Sequence, residues 1–247
     1  MSVQQWVALG FVVLSVGLFV GRSLLKQNKY KYPVEKLTAA PGVKGAAVFI
    51  YFIGLPYLAL ILGILTPKLL GLTGLEHFTL INWDAPALAL QLQQAVTLLL
   101  ITWLLDINTT LLAGLLALLL MEGIWLNLTR YGLACPQVQT PVIWILYNAL
   151  HWAFYRALFW FITGSLYLGV VLGTGVIIVE WMVAGWQHRQ QTARQQQFIA
   201  NTIILLLTAT VFYYSPNLWL LLPVHWLMVM TVNRSRVQHL STRAYIQ

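Results

Sequence analysis

Charged residues are scarce in this chain, and their scarcity excludes most soluble folds. Asp, Glu, Lys and Arg make up 8% of its 247 residues, whereas hydrophobic residues make up 60% and the mean hydropathy is +0.76. Soluble globular domains carry charge on roughly a quarter of their residues. The composition therefore predicts an integral membrane protein without an attached soluble domain.

The motifs of several enzyme classes are also missing. The chain has no glycine-rich nucleotide-binding pattern and no Gly-x-Ser-x-Gly, which disfavours phosphate-driven motors, nicotinamide chemistry and serine hydrolases. Its single cysteine, Cys135, cannot form an internal disulfide. The net charge of +8 collects in three short stretches that suit anionic lipid headgroups better than a nucleic-acid groove. We therefore expect membrane lipids as partners and no nucleic acid.

Long apolar runs dominate what is present. The runs are rich in leucine and show no alternation of polar and apolar residues, and an open sheet could not satisfy its edges in lipid, so the runs predict helices. The expected fold is all-α, a polytopic transmembrane helical bundle of seven or eight spans that forms a single integral membrane domain, 1–247. The candidate spans are 5–25, 44–65, 86–105, 110–128, 141–163, 166–186, 198–214 and 216–232.

The middle of the chain contains two predicted connections. Only residues 106–109 separate the third run from the fourth, which predicts a tight helical hairpin. The stretch 66–86 is rich in proline, glycine and charge, which predicts an interfacial loop or an amphipathic turn with Glu76 and His77 in water. The positive-inside rule leaves two topologies open. Either one intervening run, with 86–105 the first candidate, is re-entrant, or the smaller basic cluster lies outside.

Three ionisable residues lie in three different apolar runs: His151, Glu180 and His225. Such groups cost several kcal/mol in hydrocarbon, so they normally face a protein interior or a watery cavity and mark a site. Two histidines and one glutamate are a common catalytic zinc set, which leaves a position for an activated water. We therefore predict that the three bind a divalent metal such as zinc, although no local HExxH signature supports them.

The surroundings of these residues add further candidates and some structural alternatives. In the fifth run, one helical row holds Tyr147, His151 and Tyr155, and the adjacent row ends in Arg156. Arg156 could orient a carboxylate or a substrate carbonyl. It could equally pin its helix to a neighbour or pair with Glu180. A lone histidine such as His225 is also a common satisfied core residue.

The sixth run presents a row of small residues, Ser165, Gly169 and Gly173, before Glu180. Small residues let helix backbones approach closely, so Glu180 is expected to face a seam between helices, where it could act as a metal ligand and as a general base. Glu122 in the fourth run is a weaker candidate, because the residues before it are purely aliphatic.

From residue 141 to residue 232 the chain resembles the CPBP family of intramembrane metalloproteases, the CAAX-protease and bacteriocin-processing or Abi group. That family carries Glu-Glu-x-x-x-Arg on one helix, Phe-x-x-x-His on the next, and a later histidine. Here the segment from His151 to Arg156 matches the frame of the first motif, and Asn217-Leu218-Trp219 leading to His225 resembles the last. Glu180 lies near the position of the family's middle histidine.

The resemblance implies a function. It implies a metal-dependent intramembrane endopeptidase of the bacterial cytoplasmic membrane, with a membrane-embedded peptide or protein as substrate. Its catalytic residues would be Glu180, Arg156, His151 and His225. Two alternatives stay open: a non-catalytic membrane protein of the same fold that binds partner proteins, and a small transporter, for which paired halves and broken helices would be expected.

Overall fold

A computed structural model of the chain describes residues 2–25, 41–83, 86–130, 142–186 and 192–244. Throughout these ranges the secondary structure is helical or turn, with no strand. The predicted all-α class is therefore confirmed. The chain divides into two compact units, one formed by Met1–Leu65 with Leu150–Gln190 and the other by Thr66–Ala149 with Gln191–Gln247. The segment 141–232 contributes to both units.

The first unit contains the N-terminal helices and two helices from the first half of the segment 141–232. Its core is formed by large side chains such as Phe154, Tyr155, Leu158 and Ile177. Its elements are α1 (Val3–Leu25), α2 (Pro41–Phe49), a π-helical segment (Ile50–Gly54), α3 (Leu55–Ile61), the main part of α5 (Val142–Thr163) and α6 (Leu166–Trp186).

The second unit is built around one very long helix. Met121, Leu205, Phe212 and Leu221 are among its fully buried core residues. Its elements are a 3₁₀ helix (Leu75–Leu80), α4 (Leu88–Arg130), the first turns of α5, α7 (Thr192–Tyr214) and α8 (Leu218–Ala244).

Four helical stretches in the described ranges are long and apolar enough to cross a membrane. They are Val3–Gly21, Leu88–Leu128, Leu166–Ala184 and Gln195–Tyr214, and a shorter apolar stretch covers Gly45–Ile61. These stretches show a membrane protein, but they do not confirm seven or eight spans. Two of the other predicted spans form helices that carry polar or charged residues, such as Arg156 in α5 and His225 in α8.

The predicted hairpin at residues 106–109 is wrong, because α4 runs without interruption through them. This segment contains no glycine or proline that would end a helix. Asp106 in this segment accepts a hydrogen bond from Asn217, and Thr110, directly after the segment, is hydrogen-bonded to Ser215. At 1.5 Å per residue α4 is about 65 Å long, roughly twice the thickness of a hydrocarbon core.

The stretch predicted as an interfacial loop or an amphipathic turn is a series of turns followed by the 3₁₀ helix. Glu76 and His77 are partly exposed there, and the Glu76 carboxylate accepts a hydrogen bond from the backbone N–H of Gly74. The positive φ of Gly74, 92°, reverses the chain immediately before the 3₁₀ helix. Its Cα has no room for a side chain, since a Cβ would lie 2.3 Å from Cδ1 of Leu99.

Candidate functional site

The first unit contains a buried polar cluster centred on Glu180 of α6. Glu180 is 3% exposed, and its Oε1 accepts hydrogen bonds from two phenol hydroxyls. One comes from Tyr51 in the π-helical segment at 3.2 Å, and the other comes from Tyr155 of α5. A carboxylate buried in an apolar helix requires such donors, because it has lost the donors that water would supply.

The cluster extends from Tyr155 to α1. The Tyr155 hydroxyl is hydrogen-bonded to the hydroxyl of Ser15 at 2.9 Å, and both residues are completely buried. A phenol has one proton but can also accept hydrogen bonds. Tyr155 can therefore link Ser15 to Glu180, and side chains from α1, α5 and α6 meet in one continuous hydrogen-bonded chain.

His151 lies one turn before Tyr155 and faces the other carboxylate oxygen. Its Nε2 is 3.8 Å from Oε2 of Glu180, and the imidazole is buried. Three aromatic rings surround it, with centroid distances of 4.5 Å to Tyr51, 5.0 Å to Phe52 and 4.9 Å to Tyr155. Within the described ranges neither ring nitrogen of His151 has a hydrogen-bond partner. The imidazole and the carboxylate are thus close without being hydrogen-bonded to each other.

A local distortion of the backbone positions Tyr51. The backbone N–H of Leu55 bonds to the carbonyl of Ile50, which is the wider spacing of a π-helix. The next residue is Pro56, which has no N–H and whose ring crowds the carbonyl four residues earlier. The proline gives a physical reason for the widened turn at this place. Such π turns occur frequently at functional sites.

Close contact between α5 and α6 positions Glu180 against Tyr155. A Cβ on Gly173 would lie 2.6 Å from the backbone nitrogen of Arg156, and one on Gly169 would lie 2.6 Å from Cβ of Trp160. The two helices are joined by a turn in which Gly164 has a φ of 69°. The prediction that the small-residue row allows a close helix–helix approach is therefore confirmed.

Arg156 is one of the most completely buried side chains, with 1% exposure. Its backbone forms the contact with Gly173. The predicted role of its guanidinium, to orient a carboxylate or a substrate carbonyl, stays a prediction. Glu122, the weaker candidate, is exposed on α4 in the second unit.

His225 belongs to the second unit and is 3% exposed within α8. The Asn217-Leu218-Trp219 segment that precedes it has a structural role: the Oδ1 of Asn217 accepts hydrogen bonds from the backbone N–H groups of Trp219 and Leu220. Asn217 is thus the N-cap of α8, a position that asparagine favours.

Two of the three predicted metal ligands are neighbours within one unit. Glu180 and His151 are neighbours in the first unit, whereas His225 lies in the second. Among the residues that the structure describes, no group of three or more His, Cys, Asp and Glu side chains could hold a metal ion. The metal site of His151, Glu180 and His225 stays a prediction.

The sequence did not single out two members of the cluster, Ser15 and Tyr51. Ser15 is one of the few polar residues in the apolar α1, and Tyr51 lies five residues before Pro56. Each is a weak signal, because serine and tyrosine are common in membrane helices without any site.

No protein-family model matches the chain, and comparisons with curated proteins and with solved structures also found no match.

Proposed function

We propose that this protein is an intramembrane endopeptidase, diverged from the CPBP pattern, in which Glu180 and His151 activate water. The observation that carries the proposal is the 3.8 Å distance between Nε2 of His151 and Oε2 of Glu180, inside a unit of membrane helices. A carboxylate and an imidazole at this separation can both bind one water molecule, and a positioned general base contributes about 10²- to 10⁴-fold to a rate.

The reaction conserves its protons. Glu180 takes a proton from water, and the hydroxide attacks the carbonyl carbon of a peptide bond in a membrane-embedded segment. The same proton then passes to the departing amine as the C–N bond breaks. In this scheme Tyr51 and Tyr155 hold Oε1, which leaves Oε2 as the basic atom, and Arg156 orients the carboxylate or the substrate carbonyl.

Glu180 lies near one end of its apolar span. The apolar span ends at Ala184, four residues after Glu180, so about 6 Å of helix separates the carboxylate from that end. We place the protein in the bacterial cytoplasmic membrane, where a membrane-embedded peptide or protein would be the substrate.

The experiment compares cleavage of a panel of transmembrane peptides by the wild type and by two variants, all in the same lipid vesicles. Glu180→Gln and His151→Ala should each reduce cleavage by at least about 100-fold, the lower end of a general base contribution. Glu122→Gln is the matched control, since Glu122 is an exposed glutamate in the other unit. Equal cleavage by wild type and Glu180→Gln would reject the proposal.

The predicted metal can be tested separately. The metal content of purified wild type is compared with that of His225→Ala and Glu180→Gln. A bound metal that both variants lose would support the three-ligand set, whereas a metal-free wild type that cleaves peptides would reject the set and retain the water-activating pair.

One observation favours a second candidate, a non-catalytic membrane protein that binds partner proteins. Both phenol hydroxyls are engaged with Glu180, and Ser15, His151 and Glu180 are each at most 3% exposed. A polar network that is closed in this way can hold helices in register without taking part in any catalysis. For this candidate, Glu180→Gln would lower the thermal stability, and neither it nor the wild type would cleave any peptide.

A further inference from the structure

The second unit contains a separate group of oxygen-bearing side chains around Asp106, near the middle of α4. The Oδ2 of Asp106 accepts a hydrogen bond from Nδ2 of Asn217 at 3.0 Å, and the hydroxyl of Thr110 is 2.7 Å from that of Ser215. Asp106 and Thr110 are one turn apart on α4, so their Cβ atoms are about 6 Å apart. Ser215 and Asn217 lie at the break between α7 and α8. The four side chains therefore form one local cluster.

The break itself brings two helix ends together, the C-terminus of α7 and the N-terminus of α8. α7 ends at Tyr214, and residues 215–217 are not helical. The last carbonyls of α7 make its end negative, whereas the first N–H groups of α8 make that helix end positive, so the two ends offset each other in part. The carbonyl of Gly71 also reaches the break, where it accepts the backbone N–H of Leu218 at 2.6 Å. The carboxylate of Asp106 and the hydroxyls of Thr110 and Ser215 thus lie beside an interruption between apolar helices.

The charge of Asp106 is not balanced within the described ranges. No Lys, Arg or His side chain there lies within 4.0 Å of its carboxylate, and its contact with Asn217 is to a neutral amide. An unbalanced carboxylate in a long apolar helix is costly, and such residues face ion pathways or watery cavities. Thr110, Ser215 and Asn217 are each at most 3% exposed, whereas Asp106 is partly exposed. The cluster therefore combines three buried polar side chains with one partly exposed carboxylate.

We propose that Asp106, Thr110, Ser215 and the broken backbone after α7 form a binding site for Na⁺. Hard cations bind carboxylate, hydroxyl and carbonyl oxygens, and membrane proteins place such sites where helices are interrupted. The bound ion would neutralise Asp106 and screen the negative end of α7. A single proton would need only the carboxylate, so it would leave the neighbouring hydroxyls and carbonyls without a role.

The test measures thermal unfolding of the purified protein in detergent, in NaCl, KCl and choline chloride of equal ionic strength and pH. A ligand that binds only the folded state raises its stability in a saturable manner. NaCl should therefore raise the unfolding midpoint relative to choline chloride, with saturation. Equilibrium dialysis with ²²Na⁺ should show binding with the same half-saturating concentration.

Variants locate the site. Asp106→Asn should raise the half-saturating Na⁺ concentration by roughly tenfold or more, since it removes the charged ligand. Ser215→Ala should weaken Na⁺ binding less than Asp106→Asn does. It provides a second test of the site in case Asp106→Asn does not fold. Glu122→Gln, the same change at an exposed position of the same helix, should leave the Na⁺ response unchanged.

Two results would overturn the site. One is an equal unfolding midpoint of the wild type in NaCl and in choline chloride at every concentration. If the midpoint then changes with pH alone, Asp106 binds a proton and not Na⁺. The other is a loss of the Na⁺ response in Glu122→Gln as large as that in Asp106→Asn.

Discussion

The hydroxyl of Tyr51 donates a hydrogen bond to the carboxylate of Glu180, 3.2 Å away and 129 positions later in the chain. Tyr51 lies in a π-helical turn, and Glu180 lies in an apolar span. Because a buried carboxylate depends on its donors, the backbone of the π turn, the phenol and the carboxylate depend on one another structurally. Changes at any of the three should affect the others.

Loss of the Tyr155 hydroxyl should destabilise the first unit. Tyr155→Phe removes the group that links Glu180 to Ser15, and a buried polar group left without its partner costs about 1–3 kcal/mol. We expect a lower thermal unfolding midpoint in detergent. Tyr57→Phe is the matched control, because Tyr57 is 61% exposed. Equal midpoints for the two variants would show that the cluster contributes nothing to stability.

A methyl group added to α6 at Gly173 should separate α5 from α6. The new Cβ would lie 2.6 Å from the backbone nitrogen of Arg156, and backbone cannot yield as a flexible side chain does. We expect Gly173→Ala to lower stability by about 1–3 kcal/mol, the usual cost of overpacking. Gly175→Ala, two residues later, meets no atom within 4 Å and should be neutral or slightly stabilising. Thermal unfolding of the pair measures the difference. A neutral Gly173→Ala would contradict the close contact.

The continuity of α4 can be tested with two adjacent threonines. Thr110 is 3% exposed and hydrogen-bonded to Ser215, whereas Thr109 is exposed. Thr110→Val should cost about 1 kcal/mol or more, because it leaves the Ser215 hydroxyl without this partner. Thr109→Val should have little effect. Similar effects at both positions, measured by thermal unfolding, would be expected of a hairpin turn and would argue against one continuous helix.

Substitutions at two glycines with positive φ distinguish the cost of backbone strain from the cost of a steric clash. Gly63 and Gly74 both have positive φ, and any side chain at such a position costs roughly 1–2 kcal/mol. At Gly74 the new Cβ would also lie 2.3 Å from Leu99, whereas Gly63 has open space around it. Gly74→Ala should therefore lower the unfolding midpoint more than Gly63→Ala. The reverse order would contradict the placement of Leu99 against this turn.

Much of the class and part of the site could be predicted from the sequence. The apolar runs predicted helices, and the confirmed small-residue row of α6 predicted a close approach, because composition and helical spacing are local properties. The sequence also identified His151 and Glu180, which the structure brings within 3.8 Å. The number of spans was not confirmed, since apolar length alone does not separate one long helix from two short ones.

The sequence by itself determined that this is a helical membrane protein and that a few ionisable residues lie in its apolar segments. Only the tertiary structure decided that Ser15 and Tyr51 join Tyr155 and Glu180, and that α4 continues through Asp106. The physical reason is that spacing along one helix shows which residues share a face, but not which helix lies opposite that face. A polar residue such as Asp106 within an apolar run suggests a turn as long as its partner, Asn217, is not known.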